Sequence, residues 1–353
     1  MPPRLAFDPM SGRSNRRRFF RELLRESAGL VREVNSALRA DPDSAEADIA
    51  GTPERGDWSP SGLLPGGPTT VVVRLDDLVE LCRDVGLDDR SEDVQRLVRS
   101  SVRITRTKRS GDEGGFSRLG GAPHVPSDFI WPTHRGNALA FLAQIDLGDV
   151  ARLTSAPLPE DGLLSFFFER SVQGSLDALG CHVALFDHPR HELSLAPDQS
   201  ASFSEYPVEL SLELTLPKSW SLPVESLNLN HEELELWDEL RTRLARAQGV
   251  EPEELTPDWH SVHRLLGYPE ELGAEMEIDL ELGALGLDAT YADVDADDAG
   301  LRERAMDWRL LLQVSDDGTI RVSDEPTFER VYFWIRAGDL AALNLGEASA
   351  LVR

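Results

Sequence analysis

The sequence predicts an α+β fold: a strand-rich body with mixed or antiparallel sheets and a helical extension at the amino terminus. Between residues 138 and 340, short apolar segments typical of strands follow one another, and one long amphipathic helix lies among them. Many strands with few intervening helices favour antiparallel or mixed pairing over repeated strand–helix units. These two observations determine the predicted fold class.

The composition of the chain changes along its length, and we divide it into four parts. Residues 1–40 are predicted to form a disordered start and a basic amphipathic helix, and residues 41–70, rich in Pro, Gly, Asp and Ser, a linker. Residues 71–110 are predicted to form a small helical and strand lead-in. Residues 111–353 then form the α+β domain.

The amino-terminal helix is basic, although the chain is strongly acidic. The net charge is −27, from 63 acidic and 36 basic residues. A basic amphipathic helix can dock onto a partner, pack on its own acidic body or contact a membrane surface through residues 15–39. The residues predicted to dock a partner are Arg16, Arg17, Arg18, Phe19 and Phe20.

The lead-in is predicted to contain two helices and a strand. The first helix ends at Gly86, and the second begins with Ser91 as its N-cap. Residues 102–107 alternate β-branched residues with arginine, which indicates a strand. Its arginines lie near others, at Arg96 and Arg99, and form either a solvated strand face or a phosphate-binding groove.

The body contains strand segments and a capped helix. The clearest strand is "VELSLELTLP" (208–217), in which leucines alternate with polar residues. The helix after Asn230, which is predicted to cap it, runs to Gly249. The segment "AEMEIDLEL" (274–282) also alternates, so it too is predicted to be a strand, and a short helix is predicted after Gly338.

Composition excludes several function classes and favours a protein partner. General nucleic-acid binding needs a positive surface, whereas this chain is acidic. No apolar run is long enough to span a membrane, and two cysteines do not make a disulfide framework. We therefore expect a cytoplasmic protein with a protein partner. No phosphate-binding or dinucleotide fingerprint occurs, and no cofactor is expected.

Histidines are the natural candidates for acid–base or metal chemistry. If residues 260–266 form a helical turn, His260 and His263 share a face, and a neutral imidazole there is a candidate general base. The alternative is a structural His263 that bonds a backbone carbonyl before Gly267. No complete set of metal ligands is apparent, so no metal site is predicted.

Two related halves are suggested by a resemblance between residues 141–153 and 333–345. Both segments contain an apolar strand followed by an aspartate and the start of a helix. Gln144 and Gln313 are amides in otherwise apolar strands, so each needs hydrogen-bond partners. They either cross-link the two halves or line a polar pocket between them.

Six segments in order resemble the YwqG-like family, a bacterial domain family of unknown function: "GGAPHVPSDFIWP", "ALAFLAQIDL", "LPEDGLLSFFF", "HRLLGYPEEL", "WRLLLQV" and "YFWIRAGDL". The resemblance covers roughly residues 115–353 and implies an α+β fold with extended mixed sheets and no established reaction. It departs after Gly-Tyr-Pro, where the family commonly has an amide. The matched positions are Gly120, Gly121, Pro123, Pro126, Trp131, Pro132, Gln144, Asp146, His263, Gly267, Tyr268, Pro269, Gln313, Trp334 and Asp339.

Two hypotheses about function follow. The first is a non-enzymatic binding or accessory protein, of an immunity or maturation type, that docks a partner through its acidic body and basic helix. The second is a small-ligand binder or an enzyme with a pocket between two halves. The candidate pocket residues are Gln144, Asp146, His263, Tyr268 and Gln313. Because the matched residues include few paired titratable groups, we favour the first.

Overall fold

The computed structural model describes eight segments of the chain: residues 75–107, 115–170, 180–196, 203–250, 262–270, 276–287, 299–316 and 330–353. All of them belong to one compact unit, Thr70–Arg353. The predicted basic helix with Arg16, Arg17, Arg18, Phe19 and Phe20 lies outside the described residues, as do the linker 41–70 and His260.

The described residues form helices and strands in alternation. The helices are α1 Leu75–Val85, α2 Ser91–Leu97, α3 Leu147–Leu153, α4 Leu222–Glu225, α5 His231–Ala247, α6 Met276–Ala284, α7 Ala299–Ala305 and α8 Ala337–Ala341. The strands are β1 Arg99–Arg106, β2 Arg118–Leu119, β3 His124–Val125, β4 Thr133–His134, β5 Asn137–Ala138, β6 Ala140–Asp146, β7 Leu163–Phe168, β8 Cys181–Phe186, β9 Ser194–Leu195, β10 Tyr206–Thr215, β11 His263–Leu266, β12 Trp308–Ser315, β13 Arg330–Arg336 and β14 Ser349–Val352.

One large antiparallel sheet dominates the described part of the chain, which confirms the predicted α+β fold. Its ten strands lie in the order β14-β13-β12-β11-β1-β10-β2-β6-β7-β8. The two edges of the sheet approach each other, since the Cys181 thiol on β8 lies 3.2 Å from the Ala348 carbonyl just before β14. The sheet is therefore nearly closed into a barrel. Across its interior, the rings of Phe166 and Phe333 meet edge to face at 5.1 Å.

The outer face of the sheet is covered by three further apolar clusters. Helices α1, α2 and α5 pack on the end of β10 around Trp237, and α6 packs on β12 and β13 around Trp334. The loop before β6 covers a third patch, where Trp131 meets Phe167 edge to face at 5.3 Å and donates to the Leu139 carbonyl. Trp131 therefore anchors the Gly- and Pro-rich entrance to β6. This double coverage explains why β6, β7, β12 and β13 are buried and largely apolar along almost their whole length.

Strand register indicates that the sheet is built from two equivalent halves. We call β2, β6, β7 and β8 the first half, and β11, β12, β13 and β14 the second half. Gln144 on β6 lies opposite Arg118 and Ser165, and Gln313 on β12 lies opposite Arg264 and Tyr332. The β6–β7 and β12–β13 ladders are both interrupted at the same distance before the glutamine. Individual residues of the first half therefore have equivalents at the same ladder positions in the second half.

The central strands β1 and β10 follow the same symmetry, and each pairs with a different half of the sheet. β1 pairs with β11 of the second half, and β10 pairs with β2 of the first half. In these ladders Val102 faces Leu265 as Tyr206 faces Leu119. β1 and β10 also pair with each other in a register that this symmetry preserves, with Thr105 opposite Glu209.

The structure corrects which strands of the two halves were predicted to be equivalent. The comparison of residues 141–153 with 333–345 matches β6 with β13, whereas the hydrogen-bond register matches β6 with β12. Both β6 and β13 run into a short helix, α3 or α8, and this shared feature produced the similarity. The buried glutamine is the better marker, because its position in the ladder is the same in both halves.

Residues 274–282 were predicted to be a strand, and that prediction is wrong, because residues from Met276 onward form helix α6. Strict alternation of apolar and acidic residues is typical of a half-buried strand. Here Glu277 and Glu281 are buried as well, and Glu281 accepts hydrogen bonds from Arg304, Arg336 and Trp308. A helix whose charged side chains are paired can be buried on several sides. The polarity of a residue in such a helix therefore does not indicate whether that residue is exposed to solvent.

Local predictions elsewhere are mostly confirmed. Asn230 caps α5 in a reciprocal capping box with Glu233, and α1 precedes Gly86 as expected. Ser91 is the first residue of α2 rather than its cap, because Arg90 occupies the N-cap position. On β10, Glu213 lies on the polar side of the alternating strand, yet it is 5% exposed and is paired with arginines from β1 and β11.

Candidate functional site

Two equivalent turns contain many of the residues that were singled out by sequence. Each begins with an Arg-Leu pair in the first strand of its half and continues to a glycine and a proline, at residues 118–123 and 264–269. Gly121 and Gly267 have φ angles of 72° and 77°. A Cβ on Gly267 would lie 2.6 Å from the Ser101 Cβ, so only glycine fits this approach without a shift.

The two buried glutamines hold these turns in place. Gln144 Oε1 accepts the His124 N–H at 2.9 Å, and its Nε2 donates to the His124 carbonyl and to the Ser165 hydroxyl. Gln313 Oε1 accepts the Glu270 N–H at 2.8 Å, and its Nε2 donates to the Val262 carbonyl. Each amide therefore binds backbone within its own half and does not join the two halves.

His263 occupies the same position in the second half as Ser117 in the first. Its Nδ1 accepts the Ser315 N–H at 3.1 Å, just as the Ser117 hydroxyl accepts the Asp146 N–H at 2.9 Å. The imidazole is 2% exposed and lies on strand β11 rather than in a helical turn. An Nδ1 that accepts a backbone N–H carries no proton, so this nitrogen has a structural role.

Asp146 ends β6 and begins α3. Its carboxylate accepts the Gly148 N–H as the N-cap of α3 and pairs with Arg190 at 2.7 Å. Arg190 also contacts Asp161 and the Gly162 carbonyl, which ties the β8–β9 connection to this corner. The geometry accounts for Asp146 through its capping and its ion pair.

A buried charge cluster at Glu270 was not predicted from the sequence. Its carboxylate lies 2.8 Å from Lys218, 3.1 Å from Arg241 and 3.8 Å from Arg264. Burial opposes ionisation, but the three positive charges outweigh it and hold the pKa of Glu270 well below its usual range. The signal in the sequence is a carboxylate placed directly after the rigid Gly-Tyr-Pro turn.

A pocket of about 390 Å3 opens at one end of the sheet, where both halves and β1 contribute to it. Two of its lining residues are arginines, Arg99 of β1 and Arg309 of β12. The other lining residues are Ser100, Thr154, Ser155, Ala156, Pro157, Leu266, Gly267, Leu310, Ala337 and Leu340. Sequence analysis identified Arg99 as part of a possible phosphate groove but missed Arg309, which lies in an apolar segment.

Tyr268 forms the floor beneath one of these arginines. The Arg99 guanidinium lies 4.0 Å from the centroid of the Tyr268 ring, and the ring is 4% exposed. Burial raises the pKa of the Tyr268 hydroxyl, and the positive charges of Arg99 and Arg309 partly offset this rise. Tyr268 is thus a predicted site residue that contacts a residue lining the pocket.

The structure thus separates the predicted candidates. Gln144 and Asp146 lie in the first half, whereas His263, Tyr268 and Gln313 lie in the second. None of the five lines this pocket. Within the described residues, no group of three or more His, Cys, Asp or Glu side chains is arranged to hold a metal ion.

A family comparison agrees with this architecture. The model of a domain of unknown function (DUF1963) matches residues 117–350, which runs from the residue before β2 into β14 and includes both halves. The chain belongs to this family. Within DUF1963, both Arg-Leu-x-Gly-x-Pro turns and both glutamines fall inside the matched range, and so does Arg309. Helices α1 and α2 and strand β1, with Arg99, precede it. A comparison with curated proteins finds no match.

Proposed function

We propose that this member of DUF1963 is a non-enzymatic binding protein that holds a small ligand in the pocket lined by Arg99 and Arg309. The observation that carries the proposal is the composition of the pocket wall. Residues 154–157 come from the first half, residues 266, 267, 309, 310, 337 and 340 from the second, and Arg99 and Ser100 from β1. A concave, largely apolar site with a few polar groups is typical of small-ligand binding.

We favour binding over catalysis because of the hydrogen bonds that the titratable candidate residues form. His263, the candidate general base, and Asp146, a candidate pocket residue, both accept backbone N–H groups that are part of the fold. Neither lines the pocket. A general acid or base must reach the proton that it transfers, so side chains committed in this way support binding.

Filling the pocket is expected to abolish ligand binding without unfolding the protein. Ser155 lines the pocket and is exposed, so Ser155→Trp places a large ring at the entrance at little cost to stability. We expect a small molecule that co-purifies with the wild type, detected by native mass spectrometry, to be lost from this variant. Ser127→Trp, at an exposed serine outside the pocket, is the matched control. Equal ligand recovery from both variants would exclude this pocket as the site.

A second candidate function is docking of a basic protein partner through the acidic body. The observation that favours it is the surface of α1 and the turn that follows, where Asp76, Glu80, Asp84, Asp88 and Asp89 are exposed. Opposite fields accelerate association, and the predicted basic helix of residues 1–40 would add a second contact with a complex.

We expect affinity capture to separate this candidate from non-specific recovery. A partner bound by the acidic surface is lost from Asp84→Lys/Asp88→Lys/Asp89→Lys, is lost more readily at high salt, and is retained by the control Asp128→Lys/Glu303→Lys/Glu347→Lys. A partner bound by the basic helix is lost when residues 1–40 are removed. Identical partner lists from all four proteins would contradict docking.

Two finer assignments accompany this proposal. The six sequence segments within residues 115–353 that resemble the YwqG-like family support a YwqG-like member of DUF1963, and the low cysteine content supports a cytoplasmic location. No described helix is long and apolar enough to cross a membrane. Contact of residues 15–39 with a membrane surface stays an alternative, and flotation of that peptide with anionic liposomes would test it.

A further inference from the structure

The pocket of the proposed function contains two positive charges in an acidic protein. Arg309 Nη1 donates to the carbonyls of Met306 and Trp308 at 2.6 and 2.9 Å, which fixes the side chain without neutralising it. Arg99 lies over the Tyr268 ring. In the part of the chain that the structure describes, neither guanidinium forms an ion pair with a carboxylate. Most other partly buried arginines of the sheet do so.

The carboxyl that acts on both arginines is that of Glu277 on α6, and among the described residues it forms an ion pair with neither of them. Burial raises the pKa of this carboxyl, and the positive charges of Arg99 and Arg309 partly offset the rise. Burial lowers the pKa of Arg99, Tyr268 opposes this effect, and the positive charge of Arg309 adds to it. Both guanidinium groups line the same pocket. Two partly buried cations that form no ion pair are stabilised when an anion joins them.

The other half of the sheet shows that the fold does not need these arginines. Continuing the β2–β10 register from Tyr206 back to Phe203, whose carbonyl accepts the Gly121 N–H, places Phe203 where Arg99 would be. The β6–β7 register places Ala140 where Arg309 would be. Gly121 there matches Gly267, with a similar positive φ. The same backbone is thus built with two uncharged side chains. The arginines are a feature of one half, as expected of a site rather than of the scaffold.

We propose that this pocket binds the carboxylate or phosphate group of a small organic anion between Arg99 and Arg309. The inference rests on the proposed function and adds the chemistry of the ligand. Arginine presents paired N–H donors that match the oxygens of both groups. The hydroxyls of Ser100, Thr154 and Ser155 add donors at the wall.

The remaining wall indicates a ligand with an apolar part. Ala156, Pro157, Leu266, Leu310 and Leu340 line the pocket beside the arginines. The volume of about 390 Å3 lies near the lower end of the roughly 300–1,000 Å3 of small-ligand sites. An anionic head with a ring-sized apolar body fits this combination, whereas a bare inorganic ion leaves the apolar wall unfilled.

Binding of benzoate, phenyl phosphate and uncharged benzyl alcohol tests the inference. Isothermal titration of the full chain in Tris buffer at low salt is expected to show binding of one or both anions and weaker binding of benzyl alcohol. The stronger of the two anions identifies the head group. Arg99→Met and Arg309→Met are each expected to weaken it at least about tenfold, because charge-assisted hydrogen bonds are lost.

Two further sets of variants keep the outcome interpretable. Arg99→Lys and Arg309→Lys retain the charge and are expected to bind with intermediate affinity, while Arg83→Met on exposed α1 binds as the wild type does. Anions that bind no better than benzyl alcohol, or as well to the methionine variants, overturn the inference. The proposed pocket then still stands if Ser155→Trp blocks benzyl alcohol. If Ser155→Trp changes no binding, the proposed function fails as well.

Discussion

Glu270→Gln is expected to lower the free energy of unfolding by about 3 kcal/mol at neutral pH, because it leaves buried cations without their counter-charge. Lys218 and Arg241 lie within 3.1 Å of the carboxylate, and Lys218 is itself 7% exposed. Glutamine keeps the shape and the backbone hydrogen bonds of residue 270. The loss in free energy of unfolding therefore measures the contribution of the charge and not that of packing. Equilibrium urea denaturation would measure this loss.

The low folded pKa of Glu270 predicts how the stability difference between the wild type and Glu270→Gln depends on pH. Burial opposes ionisation of Glu270, but the charges of Arg241, Lys218 and Arg264 hold its folded pKa below that of the unfolded chain. The stabilisation is fully present above the unfolded pKa, and it is lost as the pH falls through the folded pKa. The difference between wild type and Glu270→Gln should therefore be largest near neutral pH and shrink in acid.

The control for this experiment is Glu347→Gln, which removes an exposed carboxylate and should change stability by less than about 0.5 kcal/mol. Comparable losses from both variants would mean that net charge matters and the cluster does not. A Glu270→Gln difference that stays constant from pH 7 to acid would contradict a depressed pKa.

Sequence patterns predicted those parts of the fold whose signals are local. The capping box at Asn230 and Glu233 lies within one turn of α5, so its residues are neighbours in the sequence. The leucines of β10 and the apolar run of β7 report burial directly. Helix α6 failed for the opposite reason, because the partners that bury Glu281 come from Arg304 and Arg336, far along the chain.

The candidate site depends on long-range register, which no local pattern reports. Arg99 and Arg309 line the same pocket because β1 pairs with β11 and β11 pairs with β12. In the sequence, Arg99 is one arginine just before an alternating strand, and Arg309 is one cation in an apolar segment. Because β1 pairs with the second half and β10 with the first, both arginines come to one pocket. A comparison of the sequences of the two halves does not reveal this pairing.

Gln144→Leu and Gln313→Leu are each expected to lower the free energy of unfolding by about 2–3 kcal/mol. Leucine is similar in size, so the main loss is hydrogen bonding. The first variant leaves the His124 N–H and carbonyl without their amide, and the second leaves the Glu270 N–H. A buried backbone group without a partner costs about 1–3 kcal/mol. Thermal and urea unfolding would measure both, with Leu142→Met and Leu311→Met as volume-conserving controls below about 1.5 kcal/mol.

The double variant tests whether the two halves are separate units of one repeated design. Gln144 and Gln313 share no hydrogen-bond partner, and each holds the turn of its own half. Their effects should therefore add, to about 5 kcal/mol, within the roughly 0.5 kcal/mol expected for independent sites. A cross-link between the halves predicts the opposite, because removing either amide would already break it and the second substitution would cost little. Additivity would make each glutamine the local fastener of its Arg-Leu-x-Gly-x-Pro turn, so that the second half can position Gly267 and Tyr268 at the pocket independently of the first.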